Sequence, residues 1–266
     1  MNCVRGPEAW RPWSRRSSRQ KAGTTRSWAS SAARSAGWSC TRRSRRNQTI
    51  AVTQRVRLRA VGEFIERFRL FPLGLVLLPG EVAPLHVFEE RYKTMIGECL
   101  ELGEPFGIVW LADDGLRETG CSASVTQLLA RAEDGRMNIL VQGEGAFRLL
   151  RRRDDLPYPA GDVELLDEHP DSPDDDEGRT TRSRYADIVE RVTDSRPSDS
   201  DLEELDAYGM AATLDFELEA KQGLLELRSE SERQVRLREL FDKALRRIDH
   251  AETAAEQARS NGKVRL

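Results

Sequence analysis

Residues 70–92 read Leu70-Phe71-Pro72-Leu73-Gly74, Leu75-Val76-Leu77-Leu78-Pro79-Gly80, Glu81-Val82-Ala83-Pro84-Leu85-His86-Val87-Phe88 and Glu89-Glu90-Arg91-Tyr92. Short apolar runs are cut at Pro72, Gly74, Pro79-Gly80 and Pro84. Proline cannot donate to a β-ladder and glycine relaxes the backbone, so the runs are expected to be short strands bounded by turns. Leu75–Leu78 is expected to be one of them, and Val82–Phe88 the next. A helix then follows. Tyr92, Met95, Ile96, Cys99 and Leu100 fall at i, i+3, i+4, i+7 and i+8 and make one apolar stripe. Glu89 and Glu90 suit the positive end of its dipole, and Gly103 suits its stop.

Downstream the period returns to two. Phe106–Leu111 is a short apolar run with Val109 and Trp110, expected to be buried on both faces, and Asp113-Asp114-Gly115 marks a turn. Val125–Ala132 and Arg136–Gln142 flank Glu133-Asp134-Gly135, a hairpin signal. Met137, Ile139 and Val141 alternate on one face. A break is expected at Gly143 and Gly145, then renewed alternation at Phe147 and Leu149, and a last strand over Asp162–Leu166. Residues 169–180 are rich in acids and proline and are expected to be a linker, with the run Asp174–Glu177 in solvent. Residues 181–252 are helical: Tyr185, Ile188, Val189 and Val192 form one stripe, and Leu237, Leu240, Phe241, Leu245 and Ile248 another. Ser200 with Glu203, and Ser229 with Glu232, have capping-box spacing. Residues 253–266 are expected to fray. Strands first and helices after imply an α+β fold: a β-rich lobe over residues 64–168 with one helix, then a helical lobe.

Charge divides the chain as well. Among residues 1–59 there are 15 Lys or Arg and one acid, Glu8; the other 27 basic and 44 acidic residues give the remainder a net charge of −17. Residues 1–60 show no sustained period and are expected to be a disordered basic extension. It holds four of the five tryptophans, at Trp10, Trp13, Trp28 and Trp38. Three readings apply: an arm that binds nucleic acid by phosphate neutralisation and stacking; a mitochondrial transit-like segment; or translated upstream sequence, the true start being a GTG codon at Val52, Val56 or Val61. The third is preferred. The usage of 37 Arg against 5 Lys fits a GC-rich genome, in which long spurious frames are common. Cys3, Cys40, Cys99 and Cys121 form no C-x-x-C pair, which fits a reducing cytoplasm. No run of about 18 apolar residues suggests a membrane span. A bacterial cytoplasmic location is expected, with a mitochondrial one as the alternative.

The run from Leu70 to Tyr92 resembles the opening of the Lon protease N-terminal domain, whose pattern is P-L-F-P-L, a few apolar residues, F-P-G, then P-L-H-I-F-E-x-R-Y. Later segments are similar too: Phe106-Gly107-Ile108-Val109, Asp134-Gly135-Arg136-Met137-Asn138, Val141–Phe147 and Glu219–Glu226. The likeness covers residues 66–250. Arg69 stands where an apolar residue is usual, and Leu78 replaces the Phe before Pro-Gly. The resemblance implies a twisted-sheet or pseudo-barrel lobe followed by a helical bundle, and a stand-alone module that recognises proteins or peptides by edge pairing or in a groove. Its expected partners are unfolded client proteins, and a protease subunit on another chain for which it acts as adaptor. Leu78, Val82 and Phe88, near the first loops, are the candidate peptide contacts.

The residues argue against catalysis. A phosphate cradle needs a glycine-rich loop ending in Gly-Lys-Ser/Thr. The single Gly-Lys, Gly262-Lys263, has no glycine five positions upstream and no Ser or Thr after it. Ser260 and Lys263 have Ser-x-x-Lys spacing, but in a polar tail that cannot desolvate the lysine as a Ser-Lys dyad requires. His86 is expected to be a half-buried histidine bonded to backbone or Glu89, since His169 and His250 lie in unrelated segments. Glu89 and Arg91 are expected to pair and place the first helix. No cofactor and no metal are expected, and a Lon-like peptidase relative without its own catalytic site is the remaining alternative.

Overall fold

The computed structural model describes residues 62–166 and 175–261, and the side chains of 62–166 and 176–257. The expected basic extension, the first half of the expected linker and the last five residues lie outside them.

The strands are β1 (Phe64–Leu73), β2 (Val82–Val87), β3 (Phe106–Ala112), β4 (Gly115–Arg131), β5 (Met137–Arg153) and β6 (Ala160–Leu165), with α1 (Glu90–Leu102) between β2 and β3. Their order is β2-β5-β4-β3-β1-β6, and β6 also pairs with β5, so five strands close on themselves. Strands β1 and β3 are parallel and every other pair is antiparallel. Closure removes the sheet edges except on the β2–β5–β4 flap. The flap exists because β5 is 17 residues long. Its first half, Met137–Gln142, pairs with β2 and the end of β4, and its second half, from Phe147, pairs with β6.

The break expected at Gly143 and Gly145 is a bulge inside one strand. Ser122 pairs with Gly145 and Ala123 with Gly143, leaving Glu144 as the extra residue. A bulge bends its strand and re-aims one side chain, which lets β5 pass from flap to barrel. The barrel is filled by Phe68, Leu70, Val109, Phe147, Leu149 and Val163. Phe147 occupies the space left by two glycines: a Cβ at Gly107 would sit 2.5 Å from its Cζ, and one at Gly120 2.6 Å away.

Leu75–Leu78, expected as a strand, is a buried loop. Val76, Leu77 and Leu78 are each under 5% exposed, yet they join no ladder. The Leu78 N–H donates instead to the Glu81 carboxylate at 3.0 Å, so one buried donor is satisfied by a side chain. The α1 stripe behaves as its period implies. Tyr92, Met95, Ile96 and Cys99 are buried, Tyr92 stacks on Phe71 at 4.2 Å, and Gly103 caps the helix at φ 65°. Arg69, the departure from the family pattern, is compensated. It donates to Glu98 at 3.3 Å and Glu104 at 2.8 Å, and the Tyr158 hydroxyl donates to the same Glu98.

The helical lobe comprises α2 (Asp175–Thr193), α3 (Asp199–Glu203), α4 (Ala207–Ala212), α5 (Leu218–Glu226) and α6 (Glu230–Asn261). Among the described residues α2 already covers 175–180, so the second half of the expected linker is helical. The expected frayed tail is likewise helical to Asn261. The cap of α3 is Ser198, whose Oγ accepts from Asp201 N at 3.3 Å, and not Ser200. Ser229 does cap α6, accepting from Glu232 N at 3.2 Å. Tyr185, Ile188, Leu237 and Phe241 are buried where α2 and α6 pack, and one hydrophobic cluster runs from them to Leu78, Ile139 and Val141 of the β lobe.

Candidate functional site

Where the two lobes meet, the turn after Leu78, the bulge of β5 and helix α4 enclose a groove of about 520 Å³. Pro79, Gly80, Glu81 and Val82 form one wall, Asp206, Tyr208, Gly209 and Ala212 the other, and Glu144 reaches it from the bulge. The local chemistry fixes each wall. Gly80, at φ 78°, allows the tight turn, and its N–H donates to Gly143 O at 2.9 Å. Gly143 N–H returns a bond to Glu81 O at 2.9 Å. A Cβ at Gly143 would lie 2.2 Å from Leu78 O, so only glycine lets the turn pack this closely. Opposite, Asp206 caps α4 by accepting from Gly209 N at 2.6 Å. Buried Tyr208 is held by Arg233, whose guanidinium lies 4.4 Å from its ring and donates to its hydroxyl at 3.3 Å.

From Val82 an exposed stripe follows β2. Val82, Pro84, His86 and Phe88 alternate outward while Leu85 and Val87 point into the core. Val82 is 53% and Phe88 58% exposed. His86 is also exposed, contrary to expectation; its Nδ1 bonds Asn138 Oδ1 at 2.6 Å and its ring stacks on Phe88 at 5.8 Å. Glu89 and Arg91 pair at 2.7 Å beside Phe88.

The backbone of β2 is a poor template for a further strand. Because Gly143 N–H bonds Glu81 O, the register directs the backbone groups of Ala83, Leu85 and Val87 toward β5 and those of Val82, Pro84 and His86 outward. Pro84 has no N–H, so the outward row lacks a donor at its centre. The free part of β4 is interrupted too, by register shifts between Val125 and Gln127 and between Leu128 and Ala130. Leu128 and Leu129 are exposed at the second shift, at 42% and 50%.

Of the three sequence candidates, Leu78 is a core residue, 0% exposed, and is corrected on that ground: the Pro79-Gly80 turn folds it inward under Gly143. Val82 lines the groove, and Phe88 lies six residues along the strand, about 20 Å away. They mark two ends of one surface. Sequence reasoning did not find Glu81, Glu144, Asp206 or Tyr208. The Gly143-Glu144-Gly145 triplet carried a bulge signal for Glu144, whereas the α4 residues come to the groove through tertiary packing alone.

Other chemistry is sparse. Among the described residues no three or more of His, Cys, Asp and Glu gather to hold a metal ion, and no helix is long and apolar enough to cross a membrane. Burial pushes the Cys99 thiol up to about 12, partly offset by nearby Arg69, and raises Cys121 further.

Residues 67–243 match the family model described as the ATP-dependent protease La (LON) substrate-binding domain. Lon protease 1 of Hydrogenovibrio crunogenus is 26% identical over 180 residues, covering 58% of this chain and 21% of that protein. Lon protease of Paraburkholderia phytofirmans is 30% identical over 101 residues, covering 35% of this chain and 13% of that one. The chain thus spans about a fifth or less of these relatives. Among solved structures, a Lon N-terminal domain protein from Xanthomonas campestris superposes with a TM-score of 0.52 at 24% identity, covering 65% of this chain and 97% of its own. The N-terminal domain of Mycobacterium avium complex Lon protease gives 0.51 at 18%, covering 66% and 98%. Fold and family model agree: the chain belongs to the ATP-dependent protease La (LON) substrate-binding domain family.

Proposed function

We propose that this protein binds unfolded polypeptide segments on the stripe from Val82 to Phe88 and in the groove at its Val82 end, as a non-catalytic module that delivers clients to a protease carried on another chain. The observation that carries this reading is the exposure of Val82 at the start of β2 and of Phe88 just past its end, while Leu85 and Val87 between them are buried. Large apolar side chains left in water along and just beyond an ordered strand favour an apolar partner. Family membership supports substrate recognition as the role. The missing donor at Pro84 favours capture by side chains over strand addition.

The test is a photo-crosslinking amino acid placed at Phe88 or, as a control, at Val192, which is exposed at 70% on α2. Crosslinks to reduced, carboxymethylated lactalbumin from Phe88 and not from Val192 are expected. Equal labelling from both positions would remove the stripe from the account.

A further inference from the structure

The groove's two walls come from different lobes, and an ion pair ties the first wall to the helix that follows the second. Glu81, in the turn that forms the first wall, accepts from Lys221 Nζ at 2.6 Å and 2.8 Å through its two carboxylate oxygens. The side chains are 17% and 12% exposed, so both charges are largely withdrawn from water. The same carboxylate accepts from Leu78 N at 3.0 Å and so holds the turn in shape. Lys221 lies on α5, which follows the other wall, α4, after five residues. The next residue, Gln222, donates to Thr119 O of β4 at 3.1 Å, docking the same helix turn on the barrel.

We propose that the Glu81–Lys221 pair is a latch that sets the width of the groove and couples its occupancy to the position of the helical lobe. The proposal rests on the groove being part of the binding surface. Removing one partner of a largely buried pair leaves the other charge uncompensated, and the nearest relief is for the walls to separate and admit water. Glu81 and Lys221 are therefore positioning residues. A segment that wedges between Val82 and Ala212 strains the latch, and a latch already open admits it at lower cost.

The experiment is amide hydrogen exchange on the full chain, with binding of fluorescein-labelled carboxymethylated lactalbumin measured in parallel. Lys221→Met is expected to raise exchange about tenfold in residues 79–82 and 207–213, as a local opening, while α2 and α6 stay within about twofold. Its affinity for the probe is expected to rise at least threefold, whereas Lys221→Arg, which keeps the charge, restores both readouts; an unchanged or weakened affinity overturns the coupling. If Lys221→Met does not fold, Glu81→Gln supplies the same contrast, since its amide oxygen can still accept from Leu78 N. Unchanged wall exchange overturns the latch, as does a rise shared by the whole chain and by Lys221→Arg. Wall exchange that responds as expected, with no probe bound by the wild type, overturns the coupling to occupancy and places the failure in the binding reading.

Discussion

Replacing each glycine of Gly143-Glu144-Gly145 by alanine separates close packing from chain stiffness. Neither glycine has a positive φ, so alanine suits both backbones. At Gly145 a Cβ meets nothing within 4 Å. At Gly143 it would lie 2.2 Å from Leu78 O and 3.0 Å from Cys121 Sγ. The carbonyl belongs to the backbone of a buried turn, so relief requires the turn to retreat by roughly 1 Å, an overpacking response of about 1–3 kcal/mol. That retreat weakens the bonds from Gly80 N to Gly143 O and from Gly143 N to Glu81 O, both 2.9 Å, each worth about 1 kcal/mol net. Gly143→Ala is therefore expected to cost about 2–4 kcal/mol, and Gly145→Ala to fall within about 0.5 kcal/mol of the wild type, helped by a stiffer unfolded chain. The assay is urea unfolding followed by circular dichroism, with slopes compared so that a change in midpoint can be read as stability. Equal losses at the two positions would refute the claim that Gly143 exists for the turn.

Three further outcomes are expected. Phe147→Ala removes the side chain that fills the barrel between Gly107 and Gly120 and should cost about 3–5 kcal/mol in the same assay; a loss under about 1 kcal/mol would mean the barrel collapses around the gap. Arg153, at 2.7 Å, holds the Asp162 carboxyl below the usual range. The carboxylate thus stabilises the fold above its unfolded value, and that contribution disappears as pH falls through the lowered folded value; Asp162→Asn should flatten this acid limb, and an unchanged limb would contradict it. Cys99 and Cys121, buried with raised thiol pKa values, should resist iodoacetamide at pH 8 and react once urea unfolds the chain; mass spectrometry identifies the modified positions, and native labelling at either would show the core opening locally.

The fold was legible wherever local period and burial agree. The α1 stripe, the hairpin at Asp134-Gly135 and the alternation of Met137, Ile139 and Val141 each gave the element found, because one face of each is buried and the side-chain period registers it. Leu75–Leu78 misled because a short apolar run looks the same in a strand and in a buried loop. What distinguishes them is the Glu81 carboxylate that satisfies Leu78 N, three residues away and outside the run. The Gly143 and Gly145 break misled for the opposite reason: the glycines bend a strand without ending it. The candidate surface was half legible. Val82 and Phe88 follow from strand alternation once Leu85 and Val87 are known to be buried. Asp206 and Tyr208 reach the groove, and Lys221 reaches Glu81, from more than 120 residues along the chain, across a packing interface no local pattern encodes.

The most direct test of the central claim is fluorescence anisotropy of labelled lactalbumin, native or reduced and carboxymethylated, titrated with the wild type and with Val82→Ser/Phe88→Ser. Both substitutions are at exposed positions, so unfolding midpoints should match. The account predicts binding of the unfolded form over the native one, weakened about tenfold or more in the double variant by the loss of two apolar contacts. Equal affinity for native and unfolded probe, or an unaltered affinity in the double variant, would contradict it.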